Sequence, residues 1–187
     1  MEFNPDAIPK HFIKYSLSRF ENNSSNMYKM LEDFALIHFR YNRYQILSIW
    51  MGRSVDKSGL VSGGEGKTTT AEKIIGEKYL GKDLFTRAGL QSLAKSDFEF
   101  FVLKDKWLHI ASMDESGTIT NFAGLIEQLR DPFIEKPVKN RPEKIKWQNT
   151  CYNVLIGNIF PKATASTKAF YRSIQKIVDW TKPMGDD

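Results

Sequence analysis

Gly59-Leu60-Val61-Ser62-Gly63-Gly64-Glu65-Gly66-Lys67-Thr68-Thr69, residues 59–69, decides how this chain is read. Upstream, Tyr44 to Met51 (YQILSIWM) is short, apolar and rich in β-formers, which predicts a buried strand ended by Gly52. Downstream, Thr68 to Tyr79 has good helix formers and ends at Leu80-Gly81, where glycine supplies a left-handed stop. A glycine-rich turn between strand and helix lets backbone amides wrap an anion, and the helix start adds its positive dipole end. Gly63, Gly64 and Gly66 meet the need for small residues. Lys67 offers a cation for the β/γ oxygens of a triphosphate, and Thr68, followed by Thr69, offers a hydroxyl for magnesium. The strict spacing G-x-x-x-x-G-K-[ST] puts its first glycine at Val61, so the loop carries an insertion after Gly52 or begins late. The competing reading is a flexible surface turn ahead of a helix.

Two further apolar segments end in polar residues suited to the same chemistry. Trp107 to Met113 (WLHIASM) runs into Asp114-Glu115. Paired carboxylates at a strand end divide labour in nucleotide hydrolysis: Asp114 supports the metal and Glu115 activates water. Cys151 to Gly157 (CYNVLIG) ends in Asn158, whose neutral amide can meet a γ-phosphate or the lytic water, or simply form a turn. Arg172, in Phe170-Tyr171-Arg172, could bring a guanidinium to a phosphate, including that of a neighbouring subunit. Helices are expected before and between these strands. Phe12, Ile13, Leu17 and Phe20 form one stripe, Met27 to Ile37 a second capped by Ser24 or Ser25, and Asn121 to Arg130 a third stopped by Pro132. Phe170, Ile174, Ile177 and Val178 recur at helical spacing near the end. Helices alternating with three separated strands predict an α/β layered domain with an at least partly parallel sheet, whose ligands sit beyond the carboxyl ends of the strands.

Composition agrees with a globular chain. Of 187 residues 41% are apolar, enough for the core of one domain, and 12 Gly plus 7 Pro exclude a collagen-like or low-complexity chain. No apolar run approaches the roughly 20 residues that cross a bilayer, so no membrane partner is expected. Cys151 is the single cysteine, which leaves no intrachain disulfide or thiolate zinc cage and fits a reducing cytoplasm. The net charge is +5, and much of it gathers between Lys136 and Trp147, where Lys136, Lys139, Arg141, Lys144 and Lys146 face Glu143 alone. That stretch reads as a solvated loop or as a phosphate-tracking surface for nucleic acid, with Trp147 available for stacking.

Gly63 to Thr69, Lys106 to Glu115 and Leu155 to Pro161 with Phe170-Tyr171-Arg172 resemble Walker A, Walker B and motif C with its arginine in the superfamily 3 helicase-type P-loop ATPases of viruses and plasmids. The likeness is greatest to the poxvirus-type primase-helicase and virulence-associated protein E branches. It implies an AAA+-like P-loop domain over residues 45–187, with a parallel central sheet, behind an N-terminal helical segment, 1–44. It further implies a ring-forming ATPase that uses ATP and Mg²⁺ to move along nucleic acid, with single-stranded DNA the expected track. A primase or origin-binding partner would supply what the chain's length does not. The alternative is a basic, non-hydrolysing nucleic-acid-binding replication accessory. His11 and His38 read as packing or surface residues and Cys151 as a small buried hydrophobe. Phe98, Phe100, Phe101 and Trp107 read as core.

Overall fold

The computed structural model describes residues 14, 16–18, 20, 23–38, 47–52, 66–113, 119, 121–158 and 176–180. Helix α1 (Ser24–His38) precedes strand β1 (Leu47–Gly52), and helix α2 (Thr69–Leu80) precedes the short strand β2 (Phe85–Arg87). Helix α3 (Leu90–Lys95) and a 3₁₀ helix (Asp97–Leu103) lead into β3 (Leu108–Ser112) and α4 (Phe122–Arg130). Strands β4 (Phe133–Pro137) and β5 (Lys144–Gln148) form an antiparallel hairpin, followed by β6 (Tyr152–Gly157) and β7 (Lys176–Trp180).

The five remaining strands make one sheet, in the order β2-β3-β6-β1-β7, and every pairing in it is parallel. This is the expected layered α/β architecture. Period-two alternation divides the sheet into two faces. Leu47, Ile49, Met51, Ala111 and Leu155 turn to one face and pack under α3, α4, the 3₁₀ helix and the hairpin. Trp50, Leu108, Ile110, Val154, Val178 and Trp180 turn to the other, under α1 and α2. Both faces are covered, which is why the strands read as continuous apolar runs.

Three expectations are corrected. Ile177 and Val178 belong to an edge strand paired with β1, because the buried positions alternate as Lys176, Val178 and Trp180. The basic stretch is a hairpin, with Asn140 at φ 61° in its turn, so it is built structure and no loop. The cap of α1 is Asn23, whose side chain accepts from the Asn26 amide at 3.2 Å; Ser24 and Ser25 lie inside the helix. Asn121 caps α4 as predicted, accepting from Gly124. Gly81, at φ 88°, ends α2 by donating to Gly76 O across five residues, the wide spacing of a π-helix. Buried residues on α2 accordingly recur as the pairs Thr70/Ala71 and Ile75/Gly76. Gly76 lets the helix meet β2, since a Cβ there would stand 2.9 Å from the Phe85 ring.

Helix α1 is tied to the sheet by a buried carboxylate. Asp33, fully buried, accepts from Ser48 Oγ at 2.7 Å, Trp50 Nε1 at 2.8 Å and Tyr152 OH at 2.7 Å, and pairs with Lys176 Nζ at 2.9 Å. Those donors come from β1, β6 and β7. Burial, and after it the neighbouring Asp33 charge, push the Tyr152 phenol above its ordinary pKa, so it stays a donor. Removing the acceptor takes a partner from four buried donors, of which the Lys176 cation keeps Glu32. Asp33→Ala should therefore cost about 3–5 kcal/mol, read as a lower urea midpoint at unchanged m-value; a loss under 1 kcal/mol would show that the network is dispensable.

Candidate functional site

All strands of the sheet being parallel, the carboxyl ends of β1, β6 and β3 share one edge. Register brings them level: Met51 lies opposite Gly157, and Ile156 opposite Ser112. The Met113 amide extends the ladder by donating to Ile156 O at 2.8 Å. β6 is inserted between β1 and β3, so Asn158 emerges between the two other strand ends.

Lys67 reaches this point from the start of the α2 helical run. Its ammonium donates to Asn158 Oδ1 at 2.7 Å, although the two residues are 91 positions apart. Lys67 is only 5% exposed, and an ammonium so far out of water needs oxygen partners. Gly66 enters the helix at φ 89°, a conformation that favours glycine, and its carbonyl accepts from Thr70 N at 2.8 Å. Thr68 and Thr69 stand exposed at the helix start. The donor set fits a triphosphate carrying Mg²⁺: a shielded cation at the strand ends, a hydroxyl one residue on, and a backbone without a Cβ beside them. The structure brings together Gly66, Lys67, Thr68, Thr69 and Asn158. Gly63, Gly64, Asp114, Glu115 and Arg172 lie outside the described residues, as does His11.

Behind the site, polar side chains lock β3, β6 and α4. His109, buried in β3, has Nδ1 2.9 Å from Asn153 Oδ1 and Nε2 3.0 Å from Ala88 O. Burial lowers its pKa, while the hydrogen bonds to Asn153 and Ala88 oppose that shift. Asn153 also donates to Leu129 O at 2.9 Å, and Asn149 donates to Leu129 O and Asp131 O, so both close the end of α4. Cys151 is fully buried and burial raises its thiol pKa, which matches an inert packing residue. His38 meets Tyr79 OH through Nδ1 at 2.9 Å on the surface between α1 and α2.

The hairpin separates the basic residues by face. Lys139, Arg141, Lys144 and Lys146 are exposed. Lys136 is not: its ammonium donates to Asp97 and Gln128 and lies 3.9 Å from the Phe100 ring centre. Trp147 is buried and stacks on Phe101 with centroids 5.2 Å apart, and its indole N–H finds no acceptor among the described residues. Both therefore leave the expected nucleic-acid surface, because they sit on the strand face that packs inward. The aromatic ring on the outward face is Phe133, 54% exposed, with Lys146 Nζ 5.1 Å from its centre. Burial alternates along Phe133-Ile134-Glu135-Lys136-Pro137, but apolar and charged residues do not, so the sequence held no periodic signal for it. Phe98 and Val102 are likewise exposed, whereas Phe100 is core.

No protein-family model and no curated protein matches the chain. Among solved structures it resembles the apo C-terminal region of NrS-1. In one crystal form the TM-score is 0.69 at 13% identity, over 100% of this chain and 43% of that one. Another structure of that region, residues 305–718, gives 0.64 at 13% identity over 97% and 42%. The chain thus spans about two fifths of those structures. At such identity the likeness concerns the fold. Among the described residues no helix is long and apolar enough to cross a membrane, and no group of His, Cys, Asp and Glu could hold a metal by itself.

Gly66→Ala should cost on the order of 1–2 kcal/mol through the left-handed backbone alone, measured by thermal unfolding; an unchanged melting temperature would mean the turn is not held at that φ.

Proposed function

We propose that this chain is the motor core of a nucleoside triphosphatase of the replicative-helicase type, acting on single-stranded nucleic acid as a homo-oligomeric ring. The observation that carries the reading is the Lys67 to Asn158 hydrogen bond, which joins the glycine turn to the end of the strand lying between β1 and β3. In this reading Lys67 holds the β/γ-phosphates of ATP, with the backbone at Gly66 and the residues from Gly63 onward wrapping them. Thr68 and Asp114 hold Mg²⁺, which when bound neutralises charge on the phosphate oxygens. Glu115 orients and deprotonates the attacking water. Asn158 exchanges the Lys67 ammonium for the γ-phosphate or that water, both of which need a neutral donor amid negative charge. Arg172 stabilises developing charge from across a subunit interface. The exposed cations of the hairpin, Lys139, Arg141, Lys144 and Lys146, track the phosphates of the strand. The superfamily 3 resemblance and the shared fold support a role in replication, and the resemblance implies a primase or origin-binding partner. The proposed setting is the cytoplasm of the host cell.

The same hairpin also favours a second reading, a nucleic-acid-binding accessory that does not hydrolyse ATP. Nucleotide-analogue binding measured beside salt-dependent DNA binding separates the two, DNA affinity without nucleotide affinity favouring the accessory. Lys67→Ala should abolish hydrolysis, and Glu115→Gln should keep nucleotide binding while cutting turnover by roughly 10²–10³. ATPase rates within twofold of wild type in both variants would refute the motor reading. Wild-type turnover should rise when single-stranded DNA is added.

A further inference from the structure

We propose that Phe133 is a base-stacking residue, through which the hairpin distinguishes an unpaired strand from a duplex. The inference rests on the nucleic-acid reading of the hairpin given above and adds to it the part of the ligand that is bound and the side chain that binds it. β4 and β5 pair in register Phe133 with Gln148, Glu135 with Lys146 and Pro137 with Lys144, and these six residues share the outward face. The inward face is spent on packing, with Ile134 and Trp147 in the core and Lys136 held by Asp97 and Gln128. Phe133 has no such duty. Over half of its surface is in water.

Its surroundings select the partner. Lys146 stands 5.1 Å from the ring centre, and Lys144 lies two residues further along the face, 3.6 Å from Glu135. Lys139 and Arg141 are exposed in the turn. A phenyl ring bordered by lysines suits a polyanion better than a protein surface, since lysine is depleted in protein interfaces. A nucleic-acid strand offers both halves of the match, phosphates for the ammonium groups and a flat base for the ring. In a duplex each base is already stacked on its neighbours, so the ring gains a partner only from unpaired bases.

The test uses the full chain and three labelled ligands: an oligo-dT strand, the same strand with abasic sites, and a blunt duplex. Phe133→Ala should bind oligo-dT roughly tenfold more weakly, while Phe133→Tyr should retain wild-type affinity. Abasic sites should weaken wild-type binding by a similar factor and leave Phe133→Ala unaffected. The salt dependence should persist in all variants, because the phosphate contacts remain. Duplex binding should be insensitive to the substitution. Phe133→Ala within twofold of wild type on oligo-dT, or an abasic penalty of equal size in both proteins, overturns the stacking role while the basic surface stands. Absence of salt-dependent binding to any of the three ligands by the wild type overturns both.

Discussion

β6 is late in sequence yet lies between β1 and β3 in the sheet, and the arrangement of the candidate site depends on that insertion. In a parallel sheet each strand ends at the same edge, so Gly52, Met113 and Gly157 gather there without any of them being close in sequence. The Lys67 ammonium makes the arrangement concrete. At 5% exposure it has lost most of its water, and a neutral Asn158 oxygen at 2.7 Å replaces part of that solvation without neutralising the charge. A positive charge shielded from water is the environment in which a phosphate oxygen gains most. The left-handed Gly66 and the helix beginning behind it serve the same end, since both aim backbone and side chain at the strand edge.

Stability is concentrated elsewhere, toward the amino ends of the strands. Asp33 draws donors from three strands onto one buried carboxylate, and Lys176, itself paired with Glu32 at 2.7 Å, brings in the edge strand β7. The ion pairs on α2 do much less. Lys73 with Glu77 and Glu72 with Arg87 involve side chains open to water, where such pairs contribute at most about 1 kcal/mol. The division has a physical logic: a carboxylate with all its donors can be rigid because it never has to release them. Asn158 and Lys67 must exchange partners if a nucleotide is to bind.

Sequence pattern revealed the layers and the strand ends because fully buried parallel strands leave continuous apolar runs, as in LSIWMG and YNVLIG. Glycine before lysine and threonine, at the head of a helix, carried its own chemistry. Lys67 and Asn158 were legible for that reason, though their mutual contact was not. β7 was misread because Phe170, Ile174, Ile177 and Val178 match a helical period, and only pairing with β1 reveals the alternation of 176, 178 and 180. The hairpin escaped because Pro137, Asn140 and Pro142 look like loop residues, while its five cations suggest one solvated surface. Pairing puts Lys136 and Trp147 on the inner face and leaves Phe133 on the outer one, a distinction that composition cannot carry.

The hairpin is also attached so that its base cannot slip. Asn149 N donates to Pro132 O at 2.8 Å, and the Asn149 side chain donates to Leu129 O and Asp131 O while accepting from Cys151 N at 3.2 Å. Within a few residues the chain becomes β6, buried on both faces and followed directly by Asn158. Asn153, the second residue of that strand, holds the end of α4 through the same Leu129 carbonyl that Asn149 uses. A load applied at Lys139 or Arg141 therefore has little freedom to dissipate at the hairpin base. It passes through those hydrogen bonds to α4 and β6, since closely packed interiors transmit strain. Of those two elements β6 is the one that leads to Asn158, Lys67's partner, so among the described residues it joins the edge where a nucleotide would sit to the surface where a strand would lie.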